Sequence, residues 1–479
     1  MAELRHIHLI AICGVGMSAL AGMLQARGFR VTGSDQNVYP PISTQLQALG
    51  IEVRQGFSPD HLADQPDLIV VGNAVSHSNP EVQAMLAQGI AYLSLPQALA
   101  QFFLVDRHPI VIVGTHGKTT TASLMAWVLE AAGLDPSYMI GGIPQNFGTN
   151  YKLGNGGFFV VEGDEYDTAF FDKAPKFLHY CPRTAILTSV EFDHADIYRD
   201  LEHVKQAFQR FVHILPPDGY LAAGLDFPHV AEILTEVPCP WEGYGFAAHA
   251  HWRATQVEMD EQTTRFVVEH RQQHLGMIGS TLVGQHNIQN ALGVIAVASH
   301  LGLSPEAIQG GLQSFAGVKR RQEVRGVVGE VTVIDDFAHH PTAIRETLAG
   351  LRGKYHGRRL WAIFEPRSAT SRRATFQQEF IEAFAEADRV VIAALFNPHG
   401  IPADVRLSPE RLAQDIGRRW AKEAVYLPEV KAIVDHVARG AHAGDVVVIM
   451  SNGGFDGIHE KLLMALRQRE GLHAAAGNG

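Results

Sequence analysis

Lys118 and Thr119 close a glycine turn, Gly114-Thr115-His116-Gly117, that follows the β-branched apolar run Ile110–Val113. Helical spacing then takes over across Ala122–Ala132. Backbone N–H groups in such a turn converge on an anion, the helix start adds positive potential, and a lysine supplies a point charge. That is the chemistry of a nucleotide polyphosphate site, with Gly114, Thr115, His116, Gly117, Lys118, Thr119 and Thr120 as its cradle. The Thr119 hydroxyl stands where a P-loop places its Mg²⁺ ligand. The general P-loop has a longer interval between its glycines than Thr115-His116 provides here. Read alone, the turn could simply pack a helix on a sheet; strand, lysine and helix in succession favour the phosphate.

Two acidic clusters follow apolar strands. Glu162-Gly-Asp-Glu-Tyr-Asp167 comes after Phe158–Val161, and Glu191-Phe-Asp-His194-Ala-Asp196 after Thr184–Thr188. Mg²⁺ takes a few hard oxygens and leaves the rest of its shell to water and phosphate, so Thr119 with one residue from each cluster would serve. The plainer reading is that these acids are caps or solvated loop residues. Further on, Gly284-Gln-His286-Asn287-Ile-Gln-Asn290 opens an Ala-rich helix through Ala298. Asparagine amides can read a base edge and His286 can stack on a base, although Asn287 also suits a helix cap. The basic cluster Lys319-Arg320-Arg321 follows, then Asp335-Asp336-Phe-Ala-His339-His340-Pro341 and Glu365-Pro-Arg367-Ser-Ala-Thr-Ser-Arg372-Arg373. Arginines after a strand suit forked hydrogen bonds to carboxylate or phosphate, or else are solvated charges.

At the start, strand His6–Cys13, the turn Gly14-Val-Gly16-Met17-Ser18-Ala19, helix Met17–Ala26 and strand Phe29–Asp35 make a βαβ unit. Its GxGxxA turn with Asp35 downstream resembles a dinucleotide fingerprint. An NAD-dependent oxidoreductase is therefore a rival reading, but the same turn holds any pyrophosphate, and that reading leaves Gly117-Lys118-Thr119 without a role.

To position these groups the chain needs several α/β lobes. Strands at Ile51–Val53, Leu68–Val71 and Ile90–Leu93 complete a Rossmann-like domain over residues 1–107, with Pro96–Pro109 as its boundary. Residues 108–319 form a central P-loop ATPase-like domain with a parallel sheet. Strands at Val331–Ile334, Leu360–Phe364, Val390–Ala394 and Val446–Ser451, with helices such as Phe376–Ala385 and Val430–Ala438, give a C-terminal Rossmann-like domain over 320–479. The fold class is α/β with three domains. A chain of 479 residues, 46% hydrophobic and 19% charged, can build them. Its net charge of −11 argues against a nucleic-acid partner. Cys13, Cys181 and Cys239 are far apart, which excludes a disulfide framework and suits a cytoplasmic location. Glycines interrupt the apolar stretch His8–Leu24, so neither a signal peptide nor a membrane span is expected. Gly471–Gly479 reads as a frayed tail.

Taken together, the motifs GVGMSA, GTHGKTTT, EGDE, EFDHAD, GQHNIQN, KRRQE, DDFAHHP and FEPRS, in this order along almost the whole chain, resemble the Mur ligase family. These are ATP-dependent enzymes that build the peptide of bacterial cell-wall precursors. The resemblance implies that Gly114–Thr120 bind ATP phosphates, Lys118 on the β/γ side, and that Thr119, Glu162 and His194 hold Mg²⁺. By the same resemblance His286, Asn287 and Asn290 contact adenine, and Arg321 and Asp336 reach ATP from the third domain. Gly14, Gly16, Met17, Ser18 and Asp35 fall where the family holds a uridine nucleotide. Lys118, His194, Arg367 and His340 are the implied catalytic groups, with His339 and His340 both open as proton acceptors or substrate contacts. Gln209 occupies the place of a lysine that is carbamylated in some members, which argues against that modification here.

Within the family the chain is similar to the branch acting on UDP-N-acetylmuramate. The stretches TAFFDKAPKFLHYCPRT and FEPRSATSRR resemble the recycling member, which adds the murein tripeptide L-alanyl-γ-D-glutamyl-meso-diaminopimelate, more than the L-alanine-adding member of de novo synthesis. The implied reaction phosphorylates the lactyl carboxylate and lets an amine attack the acyl phosphate, with domain closure excluding water. Lys118 is expected to face solvent when no ligand is bound.

Overall fold

The computed structural model describes residues 4–40, 42–260, 263–399 and 401–476. Its first sheet is parallel throughout, in the order Glu52–Gln55, Arg30–Asp35, His6–Ile10, Leu68–Val71, Tyr92–Ser94. Strand His6–Ile10 is buried along its length and lies where the strand order reverses. The turn that follows it therefore opens into the crevice where such sheets take ligands. Helix Val15–Ala26 leaves that turn with no acid in its first turn.

The central sheet has ten strands. Its middle is parallel: Trp241–Gly245, Tyr220–Gly224, Thr184–Leu187, His108–Val113, Phe158–Glu162 and Ser137–Met139. Strands buried on both faces read as continuous apolar runs, and Ile110, Val111, Ile112 and Val113 are wholly inaccessible. Helices Lys118–Ala131 and Gln285–His300 pack on one face. The other face shares a core with the first domain that runs from Ile7 and Leu9 to Phe177, Phe208 and Phe211. A meander of Trp252–Met259, Thr264–His270 and Gln273–Ser280 extends one edge, its members antiparallel. None of the three was expected. More exposed residues alternate with more buried ones along Trp252–Met259, and Gly276 and Gly279 interrupt the apolar residues of Gln273–Ser280, so the one apolar run among them is the short Phe266–Val268.

The third sheet runs Glu323–Val328, Val331–Asp336, Val446–Met450, Leu360–Phe364, Arg389–Ile392, Glu423–Tyr426, parallel except for its first pair. Several boundaries differ from the sequence reading. The segment Pro96–Pro109, read as a boundary, is helical from Leu95 to Leu104, with a capping box between Ser94 and Gln97. The threonines of the glycine-lysine turn lie inside the first helical turns of Lys118–Ala131. The C-terminal helix Ile458–Ala476 occupies most of the stretch read as frayed, and the remainder of that tail, 477–479, lies outside the described residues. Among the described residues no helix is long and apolar enough to cross a membrane.

Candidate active site

Strand His108–Val113 sits between the two strands that carry the acidic clusters, so the glycine turn and both clusters open at one edge of the sheet. The turn is set by its glycines. Gly114 has φ +132°, and a Cβ there would lie 2.1 Å from Thr188 Oγ1; Gly117 has φ +83°, and its Cβ would meet Asn290 Oδ1 at 2.5 Å. Neither position accepts a side chain. Lys118 is not solvent-facing, as expected from the sequence, but folded back into the site. Its ammonium donates to the Gly114 carbonyl at 2.6 Å and to both carboxylate oxygens of Glu165 at 2.8 and 3.1 Å. Burial opposes the charge on Lys118, but the Glu165, Asp164 and Glu162 carboxylates outweigh it and hold the ammonium above its ordinary pKa. A buried lysine needs a counter-charge, and Glu165 provides it.

Glu162 accepts from the Thr119 hydroxyl at 2.8 Å and from the Gly141 N–H at 2.7 Å. Burial, reinforced by Asp164, pushes its carboxyl above the usual range. A buried carboxylate so disfavoured is one that a cation would restore, and Thr119 and Glu162 offer adjacent hard oxygens. His194 is joined to this pair only indirectly: its Nε2 lies 3.0 Å from Glu165 Oε1, the group that also holds Lys118. It sits at φ +54°, with its ring 4.1 Å from that of Tyr166.

The third domain closes on the same edge. Arg321 reaches Thr119 Oγ1 at 3.4 Å, and its guanidinium lies 4.7 Å over the Phe337 ring. Asp336 is fixed by the N–H groups of Gln322 and Ala338, both at 2.8 Å. His116 meets Glu191 at 2.8 Å, and His340 Nδ1 lies 3.8 Å from the same carboxylate oxygen. His340 Nε2 lies 3.2 Å from the Phe192 carbonyl, while Nδ1 accepts from the Thr342 N–H. Burial, with His116 beside it, pulls its pKa down to about 3. His340 thus bridges the second and third lobes from a buried position that disfavours its charged form. Arg367 stacks 3.5 Å over Phe396 and faces Glu365 at 3.7 Å, contacts that keep it within its own domain.

A cavity of about 460 Å³ lies between the second and third lobes, lined by Thr120, His286, Asn287, Asn290, Arg321 and Asp336 among others. His286 Nδ1 is buried there without a hydrogen-bond partner, and burial, then Arg321, lowers its pKa to about 4. A neutral ring against a flat aromatic ligand suits that setting. Asn287 does not cap the helix; Gly284 stands at the cap, and the Asn287 amide donates to the Val283 carbonyl at 2.7 Å while accepting from Asn290. A second cavity of about 440 Å³ lies over the first sheet and is lined by Gly14, Gly16, Met17 and Asp35. Asp35 accepts from the N–H groups of Cys13 and Asn37, both at 2.9 Å. Ser18, expected beside them, instead donates its hydroxyl to the Val15 carbonyl and is not part of that lining. Gln209 lies on helix Leu201–His213 with its amide on Thr235 Oγ1.

Three family models match the chain in succession: Mur ligase family, catalytic domain, over residues 6–107; Mur ligase middle domain over 112–298; and Mur ligase, glutamate ligase domain, over 320–453. The chain belongs to the Mur ligase family. As a Mur ligase it is an ATP-dependent enzyme that forms an amide bond. It is 42% identical to the UDP-N-acetylmuramate–L-alanyl-gamma-D-glutamyl-meso-2,6-diaminoheptandioate ligase of Escherichia coli, over 97% of this chain and 98% of that one. Identity to the UDP-N-acetylmuramate–L-alanine ligase of Geotalea daltonii is 35%, over 97% and 99%. Among solved structures, a murein peptide ligase from Psychrobacter arcticus superposes with a TM-score of 0.71 at 37% identity, covering 97% of this chain and 99% of that one.

Sequence reasoning grouped Glu165 with its neighbours but did not single it out as the partner of Lys118 in this Mur ligase. No local signal marked it, because the burial of Lys118 arises only when the two strand ends come together. Lys118→Met should lower turnover by about 10²–10³-fold and should also lower the melting temperature by several degrees, because buried Glu165 keeps only His194 as a charged partner. Adding Glu165→Gln should restore the melting temperature without restoring turnover. A double variant no more stable than the single one would remove the ion pair's structural role.

Proposed function

We propose that this ligase joins L-alanyl-γ-D-glutamyl-meso-diaminopimelate to UDP-N-acetylmuramate, in the cytoplasm, in the recycling of cell-wall peptide. The observation that carries this reading is the convergence of Lys118, Thr119, Glu162 and Arg321 on one crevice between nucleotide-sized cavities. Full-length identity of 42% to a relative named for that tripeptide, against 35% to one named for L-alanine, supports the choice of amine.

A carboxylate is a poor electrophile, and its attack on ATP brings two anions together. Lys118 and the Gly114–Thr120 backbone hold the β- and γ-phosphates, and Arg321 adds charge from the third lobe. Thr119, Glu162 and His194 would hold Mg²⁺, which neutralises phosphate charge when bound. The lactyl carboxylate oxygen attacks the γ-phosphorus and ADP leaves. The free α-amine of the tripeptide then attacks the acyl carbon, and phosphate departs with the amine's proton as the amide forms. His116, Glu191 and His340 hold the lobes together around that step and keep water from the acyl phosphate.

Phosphate release measured with UDP-N-acetylmuramate and either amine tests the substrate reading. The tripeptide should be used at least about tenfold more efficiently, the discrimination that one lost charged contact gives. Preference for L-alanine would replace this reading with the de novo enzyme. For the metal, His194→Ala should raise the Mg²⁺ concentration for half-maximal rate by about tenfold or more; an unchanged Mg²⁺ titration would remove His194 from the metal site.

A further inference from the structure

The stretch Asp167–Pro175 folds as a two-stranded hairpin that leaves the central domain and crosses to the first. Its tip is apolar. Phe170 meets His77 at 5.6 Å and Phe171 meets Tyr92 at 5.0 Å, and both pack on the core around Ile10, Ile69 and Val71 of the first sheet. The hairpin's base returns at Lys176, whose N–H donates to the Tyr166 carbonyl at 3.2 Å.

This placement puts Lys176 and Thr168, both from the central domain, in the wall of the 440 Å³ cavity over the Gly14–Gly16 turn. Among the residues lining it, Lys176 is the sole basic one, and Asp35 is the acid. The turn offers backbone N–H groups and the start of helix Val15–Ala26, which carries no capping side chain. Those groups suit a diphosphate, but a dianion beside Asp35 also needs a full positive charge close by. Lys176 supplies one. Its ammonium lies 3.1 Å from Asp164 Oδ2, in the acidic cluster of the phosphate site, so the same side chain touches both sites.

Resting on the proposed function, we propose that Lys176 binds the diphosphate of the uridine nucleotide, carried to the first domain's pocket by the Asp167–Pro175 hairpin. The hairpin is thus a binding element of the nucleotide-sugar site. Filling the pocket ties the first domain to the acidic cluster that faces ATP.

Titration calorimetry of the full chain with UDP and with uridine tests this. Wild type should bind UDP more tightly than uridine. Lys176→Gln should weaken UDP by about tenfold or more and leave uridine within about twofold, while Lys176→Arg keeps most of the difference. Asp164→Asn removes the ion pair but not the cation, and should leave the UDP-to-uridine ratio intact. Equal weakening of both ligands by Lys176→Gln, or of neither, would overturn the assignment, as would loss of the ratio in Asp164→Asn alone. A wild-type protein that binds neither UDP nor UDP-N-acetylmuramate would overturn the functional reading as well.

Discussion

Lys118 is buried against Glu165 at the mouth of the phosphate turn, and much of the molecule follows from that pairing. A lysine placed to grip phosphate must sit among few waters, where an unpaired charge is costly. Without nucleotide it needs an anion, and Glu165 lies at the end of the neighbouring strand to supply one. His194 shares the same carboxylate, so the lysine, the acid and the imidazole form one charged unit across two strand ends. A phosphate bound at the turn would compete with Glu165 for the lysine.

The second constraint is that no single lobe completes the site. The turn and both acidic clusters belong to the central sheet, Arg321 and Asp336 enter with the third lobe, and the hairpin at Phe170 and Phe171 fastens the first. His116, Glu191 and His340 meet across the lobe boundary. A reaction through an acyl phosphate benefits from such division, because water is excluded only when the parts come together.

Much of this was legible in the residues alone. Strands such as Ile110–Val113 and Phe158–Val161 stood out because burial on both faces leaves continuous apolar runs. The glycine-lysine turn was legible because its chemistry is local. Most of what escaped was non-local. The meander of Trp252–Met259, Thr264–His270 and Gln273–Ser280 is the exception, since its strands pair with their chain neighbours and register shifts break the alternation. The partner of Lys118 depends on how two strand ends register, and the inward fold of its side chain reversed the expectation of a solvent-facing lysine. Ser18 sits in the right motif yet turns to its own helix, which spacing does not reveal. His340, grouped with the reacting residues by its motif, lies buried between lobes with Nε2 against the Phe192 carbonyl, a placement that spacing does not reveal.

ATP phosphates should take Lys118 from Glu165 within the short glycine turn. A crystal structure with a non-hydrolysable ATP analogue and Mg²⁺ measures this directly. Phosphate oxygens are expected within hydrogen-bond distance of Lys118 Nζ and the Gly117–Thr120 N–H groups, with the Lys118–Glu165 contact lengthened. A nucleotide bound elsewhere, with that contact unchanged, would contradict it.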